Sequence, residues 1–376
     1  MKIAIVGPAY PFRGGIAHYT TLLAAYLAAE HETRLYSFKR LYPTWLYPGR
    51  SQIDPSGRPL AEIATRRWLT PWWPGSWRRV TQDWKVWQPA RVVVQWWVPF
   101  MAPPTAWLLK RARQLRLHST LLCHNVLPHE RSRIDALIVK QVLSRADRLL
   151  VHTQAEYERA RALLPDKPIV VSPHPTYAEL PTSKWTRAAA RAELQLAGNV
   201  LLFFGLVRPY KGLLDLIEAL PAIPAELDVT LLVVGEIWGD AAIYHARVNE
   251  LGLRDKVRFI DRYVSNAEVA LYFSAADLVV LPYREATGSG VLQVALGAGV
   301  PVVATRTGGM DEVVRDGVTG FLIDPGDVAG LSCAVARYFQ EDRSAEFRRN
   351  IQRGQAAFEW PQLVRVITAP DQGGAA

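Results

Sequence analysis

Cysteine is scarce: Cys123 and Cys333 are the only two in 376 residues, and they lie far apart. That excludes a disulfide framework and a zinc-finger spacing, and both cysteines read as small core residues. Long apolar runs are missing too. No stretch approaches the roughly 20 residues needed to span a bilayer. The chain opens directly on MKIAIVG, without a basic-then-apolar leader, so a cytoplasmic protein with no signal peptide is expected. The dinucleotide fingerprint G-x-G-x-x-G is absent from the first strand, turn and helix. No pair of carboxylates suggests the separate acid and base of a hydrolase. Acidic residues are few in the first half. Residues 1–178 hold 25 Lys+Arg against 11 Asp+Glu, and the remainder holds 19 against 24.

What is present suits a globular protein of two domains, with 49% hydrophobic and 21% charged residues. Charge placed so unevenly suggests that the first half faces something anionic. Tryptophan is uneven as well, with ten of the 13 between Trp45 and Trp107. The run Arg66 to Arg79, RRWLTPWWPGSWRR, holds four tryptophans and four arginines around two prolines. Nucleic acid is not indicated, because no RNA- or DNA-binding motif accompanies the patch. Two readings stand: an anionic membrane surface, where indoles enter the headgroup layer, or ordinary core packing.

The most informative stretch runs from Leu281 to Glu312. A short β-branched run reaches Pro282, and a loop then carries Thr287, Gly288, Ser289 and Gly290. Helical spacing follows from Val291 until Gly299 and Pro301 stop it. Val302-Val303-Ala304 reads as a buried strand, Gly308-Gly309 as a second tight loop, and a helix as beginning at Asp311. One such loop is equally a plain βα turn. Two of them flanking one βα unit, with small hydroxyls in the first, point to a bound anion at a helix start.

This stretch resembles the C-terminal signature of the retaining, nucleotide-sugar-dependent glycosyltransferases of the GT-B fold, family 4. Pro282, Gly299, Pro301, Val302, Val303, Ala304, Thr305, Gly308, Gly309 and Glu312 match its pattern. The family's two helix-flanking glutamates fall on Ala286 and Val294, and Glu285 is one residue out of register. A T-G-S-G loop thus replaces the usual E-G-F-G. The family's first loop, P-x-x-G-G before a helix, matches at Gly14-Gly15. Lys211 and Gly212 match its diphosphate-clamping loop after Gly205, but Leu206 stands at the usual arginine, leaving Arg208 to supply the second charge. The segment at Tyr263 is where the family cradles the nucleobase; that ring either stacks on a base or packs internally.

The rest of the chain fits the same plan. Ile16, Tyr19, Leu22, Leu23, Tyr26 and Leu27 form the apolar side of the first helix. Residues 40–90 are the least regular part. Arg91 to Val98 reads as a buried strand, and Trp107 to Leu117 as a helix with a basic face of Lys110, Arg111, Arg113 and Arg116. The strand from Thr120 to Cys123 leads to His124, Asn125, Pro128, His129 and Glu130 at its carboxyl end, where ligands collect in open α/β sheets. His124 stands where the resemblance places a histidine facing donor sugar and acceptor.

The expected fold is α/β of GT-B type: two Rossmann-like domains facing across a cleft, residues 1–177 and 178–357, with a last helix at about 358–370 returning to the first. The resemblance implies transfer of a sugar from a nucleoside diphosphate sugar to an acceptor hydroxyl with retention. Lys211, Arg208 and the 287–290 amides would neutralise the departing diphosphate, with no cofactor and no metal. Gly14, Gly15, Gly205, Tyr263 and Glu312 complete the donor side, and His18, His124, Asn125 and His129 the acceptor side. Bacterial cell-surface polysaccharide or glycolipid synthesis, with a sugar or lipid-linked acceptor, is the implied setting. An epimerase or phosphorylase on the same fold, or a non-catalytic binder, is the alternative.

Overall fold

The computed structural model describes residues 1–43, 47, 49–55, 57, 59–127, 133–178 and 185–370. His129 and Trp45 therefore lie outside the described residues. Two compact units emerge: residues 1–175 joined by those from 357 onward, and residues 176–356.

The first unit runs β1 (Lys2–Val6), α1 (Gly15–Glu30), β2 (Glu32–Phe38), β3 (Thr65–Leu69), α2 (Pro74–Trp87), β4 (Arg91–Trp96), α3 (Ala102–Gln114), β5 (His118–Cys123), α4 (Arg133–Leu143), β6 (Arg148–Val151), α5 (Gln154–Leu163) and β7 (Ile169–Val171). Its seven strands pair in parallel in the order β3-β2-β1-β4-β5-β6-β7. All six residues of β4 are buried. That is why its centre, Val92-Val93-Val94, is an unbroken apolar run rather than an alternation.

Residues 40–90 prove more regular than their sequence suggests, since β3 and α2 lie there. In α2 the buried positions Trp77, Val80, Thr81, Trp84 and Trp87 fall at helical spacing behind Pro74 in the first turn. Flanking arginine pairs and prolines hide that period. The helix expected at 107–117 instead occupies Ala102–Gln114. Pro103 and Pro104 fit its first turn, where a missing N–H breaks no intrahelical bond. Cys123 is buried as expected, but Cys333 is exposed. It sits on the outer face of α12 (Val328–Gln340), whose inward positions include Leu331, Val335 and Tyr338.

The second unit runs α6 (Arg187–Leu194), β8 (Asn199–Phe204), α7 (Leu213–Ala219), β9 (Val229–Val234), α8 (Ala242–Glu250), β10 (Val257–Ile260), α9 (Asn266–Ala275), β11 (Leu278–Leu281), α10 (Gly290–Gly297), β12 (Val302–Thr305), α11 (Met310–Val313), β13 (Gly320–Ile323), α12 and α13 (Ser344–Gly354). Six parallel strands lie in the order β10-β9-β8-β11-β12-β13. Each sheet reverses its strand order once, between β1 and β4 and between β8 and β11. Such a reversal opens a crevice at the carboxyl ends of the strands, where α/β sheets hold ligands.

The last helix, α14 (Trp360–Thr368), belongs to the first unit. Trp360 is 2% exposed. Its indole stacks on Tyr26 at 5.7 Å and tilts against Tyr19 at 5.1 Å. Buried Arg91 and Arg148 each donate at 2.6 Å to carbonyls at the end of α14, those of Ala369 and Ile367. Cations satisfying the last carbonyls of a helix are favourable partners of its dipole.

Candidate functional site

In the second unit the reversal between β8 and β11 brings two loops together. After β8 the chain passes Gly205 (φ +96°) and Arg208, makes a 3-10 turn at Pro209–Lys211, and enters α7 through Gly212 (φ +69°). A side chain at Gly212 would place its Cβ 1.9 Å from the Pro282 carbonyl oxygen. Only glycine lets the β8 loop lie against the end of β11. Arg284 fixes the approach from the other side. Its backbone N–H donates to the Tyr210 carbonyl at 2.7 Å, and its guanidinium grips buried Asp215 at 2.9 and 2.6 Å.

Lys211 is the cation at the centre of this arrangement. It is 8% exposed. Its Nζ lies 5.5 Å from the centroid of the buried Tyr283 ring. A Cβ on Gly205 would meet both Lys211 Nζ and Val291 Cγ2 at 3.2 Å, so the ammonium and the first turn of α10 both border Gly205. Burial, and then the nearby Arg208 guanidinium, lower its pKa from 10.5 to about 8. Arg208 itself is exposed, 5.5 Å from the ring centroids of Tyr210 and Trp238.

The loop from Thr287 to Gly290 leads into α10. Ser289 caps that helix, its Oγ accepting from the Leu292 N–H at 3.2 Å and lying 3.4 Å from the Tyr283 hydroxyl. A Cβ built on Gly288 has nothing within 4 Å, so the loop borders open space at that residue. The second glycine loop closes on the first, because a Cβ on Gly308 would lie 2.5 Å from the Ala286 carbonyl carbon. Thus Gly205, Arg208, Lys211 and Thr287–Gly290 surround one strand-order reversal. Tyr263 is partly buried in the loop after β10, and Glu312 is exposed on α11.

In the first unit, three neighbouring strands each hand a histidine to the carboxyl edge: His124 after β5, His152 after β6 and His174 shortly after β7. Their rings surround Tyr19 of α1 at 4.8, 5.3 and 5.0 Å. His124 Nε2 lies 2.7 Å from Gln95 Oε1 on β4, and His152 Nδ1 lies 2.8 Å from the Ser172 carbonyl. All three are held neutral. Burial, then the neighbouring rings, puts His124 well below 6.5; burial takes His152 to about 4 and His174 to about 3. Among the described residues, no group of three or more His, Cys, Asp or Glu is placed to hold a metal ion.

Asn125 follows His124 and donates to the Trp97 carbonyl at 3.3 Å. Gly14 caps α1 at φ +104°, and a Cβ on Gly14 or Gly15 would meet nothing within 4 Å. His18 lies one turn into α1, with Nε2 3.9 Å from the buried Asp54 carboxylate. Sequence reasoning missed His152, His174, Tyr283 and the Asp215–Arg284 pair. The two histidines had a signal, since each follows a short β-branched or leucine-rich run as His124 does. Nothing local marks the Asp215–Arg284 pair, which is 69 residues apart.

Residues 14–175 match the glycosyl transferase 4-like domain, and residues 198–341 the domain of the glycosyl transferases group 1. A D-inositol 3-phosphate glycosyltransferase from Mycobacterium sp. (strain KMS) is 36% identical over 197 residues, 50% of this chain and 44% of that protein. The protein of the same name from Salinispora tropica is 33% identical over 247 residues, 60% of this chain and 51% of its own. The chain spans about half the length of these curated relatives. Among solved structures, HepE of Anabaena in complex with UDP-glucose superposes with a TM-score of 0.73 at 21% identity, over 98% of each chain. Sucrose-phosphate synthase from Thermosynechococcus elongatus gives 0.73 at 21% identity, over 97% of each chain. These structures share the GT-B fold with this chain.

Proposed function

We propose that this chain, a glycosyl transferase 4-like domain and a group 1 domain in the GT-B fold, transfers a hexose from a nucleoside diphosphate sugar to an acceptor hydroxyl. Retention at the anomeric carbon goes with this reading, as in the family 4 enzymes that the 281–312 stretch resembles. The observation that carries it is Lys211, a buried ammonium that borders Gly205, as the first turn of α10 does, at the β8–β11 reversal. Breaking the bond from the anomeric carbon to the diphosphate oxygen leaves negative charge on that oxygen. Lys211, Arg208 and the amides of residues 287–290 meet that charge where it develops, which favours the transition state over the ground state. At pH 7 a lysine with a pKa of about 8 is mostly protonated and ready for this task. His124, with Asn125 beside it, takes the acceptor side in this reading.

A uridine nucleotide is the first donor to test, because the Anabaena neighbour was solved with UDP-glucose. The acceptor in this reading is lipid-linked and belongs to cell-surface polysaccharide or glycolipid synthesis. The first unit then works at an anionic membrane surface, which its excess of basic residues and the exposed Trp72 and Trp73 support. No helix among the described residues is long and apolar enough to cross a membrane. Incubation with a panel of nucleotide sugars tests the donor, since a ligand bound only by the folded state raises the melting temperature. Acceptor-dependent release of nucleoside diphosphate tests the transfer. A panel that gives neither stabilisation nor release would sink the reading.

A further inference from the structure

The carboxyl edge of the first unit's sheet carries a second feature, away from the histidines. A cavity of about 420 Å³ is lined by Lys39, Arg40, Trp68, Trp72, Trp73 and Arg79, among others. A larger one of about 1090 Å³ shares Lys39, Arg40 and Trp72 and extends over Phe12, Tyr42 and Phe100. Lys39 and Arg40 directly follow β2, Thr70 follows β3, and Phe12 and Phe100 stand on the loops after β1 and β4. The groove therefore reaches the strand-order reversal, the usual ligand crevice of such a sheet.

Its chemistry is one-sided. Among the described residues, no carboxylate lines either cavity, and Lys39, Arg40 and Arg79 enter no ion pair. Other arginines of the unit do find carboxylates: Arg34 pairs with Asp83, and Arg159 with Glu156. The Arg79 guanidinium lies 4.2 Å from the Trp68 ring centroid. Two lining residues are held from behind, Trp97 Nε1 donating to the Tyr42 hydroxyl and Trp77 Nε1 to the Thr70 carbonyl, each at 2.9 Å. Trp72 and Trp73 stay 44% and 64% exposed. Cations without a carboxylate partner beside two exposed indoles suit a ligand that is anionic at one end and apolar along its length.

We propose that this groove binds a single amphiphilic phosphate, a lipid phosphate or diphosphate. Its charge lies against Lys39, Arg40 and Arg79, and its hydrocarbon runs along Trp72, Tyr42, Phe100 and Phe12. The proposal deepens the lipid-linked acceptor reading and rests on it. The concavity favours one held molecule over a flat membrane contact, and the aromatic lining favours an amphiphile over a bare anion.

Calorimetry on the full chain, with farnesyl diphosphate below its micelle concentration as the probe, decides it. Farnesyl diphosphate should bind at least tenfold tighter than inorganic diphosphate or farnesol, and saturating UDP should leave its affinity unchanged. The Lys39→Ala/Arg40→Ala double variant should lose at least tenfold in affinity while keeping its melting temperature and UDP binding. Equal binding of inorganic diphosphate, or displacement of the probe by UDP, would overturn the proposal. So would an unaltered double variant, or binding only to vesicles of anionic lipid. Failure here leaves nucleotide-sugar stabilisation untouched, so the two readings fall separately.

Discussion

Lys211 is buried with its charge, and that sets a conflict between stability and binding. Its folded pKa of about 8 lies below the 10.5 of an ordinary lysine. Between those values the unfolded chain holds more protons, so stability rises as pH climbs from about 8 toward 10.5. Nucleoside diphosphate binding should run the other way, strongest below pH 8 and falling above it, with proton uptake on binding near pH 8. Calorimetry in buffers of different ionisation enthalpy reads that uptake; none at pH 8 would remove Lys211 from the diphosphate. Lys211→Ala should weaken binding by about 1.5–3 kcal/mol, the range for a charged hydrogen bond, while leaving the melting temperature at pH 7 unchanged or higher. Gly288→Val puts a branched side chain into the open space before α10, at a φ of +156° that strains the loop locally. It should abolish nucleotide binding with the fold intact by circular dichroism, and normal binding would reduce the loop to a turn. Lys211 and the glycines were legible because a motif fixes them at short range. Tyr283 and the Asp215–Arg284 pair were not, because only the pairing of β8 with β11 brings them to the site.

At the scale of elements, parallel strands end in step, and β5, β6 and β7 deliver His124, His152 and His174 to one edge around Tyr19. These histidines have folded pKa values below the unfolded 6.5, so the unfolded chain takes up protons first as pH falls. Stability should decline from about pH 6.5 downward, toward pH 4 for His152 and pH 3 for His174. Thermal melts between pH 7 and pH 5 measure the slope, and His152→Asn should flatten it. An unchanged slope in that variant would place the acid sensitivity elsewhere. Strand and helix types were readable wherever a β-branched run or a capped helix stood alone. The failures are local: in α2 the period is carried by tryptophans among arginines, and α3 begins on Pro103 and Pro104, ahead of the expected start at Trp107.

Across the whole molecule, the uneven charge and the return of α14 each make a prediction. Anionic vesicles should bind the protein at low salt and lose it at high salt, because screening shortens electrostatic reach to about 8 Å at physiological ionic strength. Trp72→Ala/Trp73→Ala should reduce binding further in sedimentation, and equal binding to neutral vesicles would argue against a membrane role. Trp360 packs at 2% exposure against Tyr19 and Tyr26. Trp360→Ala should therefore destabilise the first unit by about 3–5 kcal/mol, the range for deleting a large buried aromatic. A melting curve in which the first transition does not move would contradict this packing.

That last helix also fixes an order of events during synthesis. The second unit lies between two pieces of the first, so a ribosome finishes residues 176–356 before it makes Trp360. Until then Tyr19 and Tyr26 lack the indole that covers them, and Arg91 and Arg148 lack the carbonyls of Ala369 and Ile367. The unit encoded first is thus the one completed last. A chain stalled at residue 356 would carry a finished second unit beside an open aromatic face, the kind of surface a chaperone that holds nascent chains would bind.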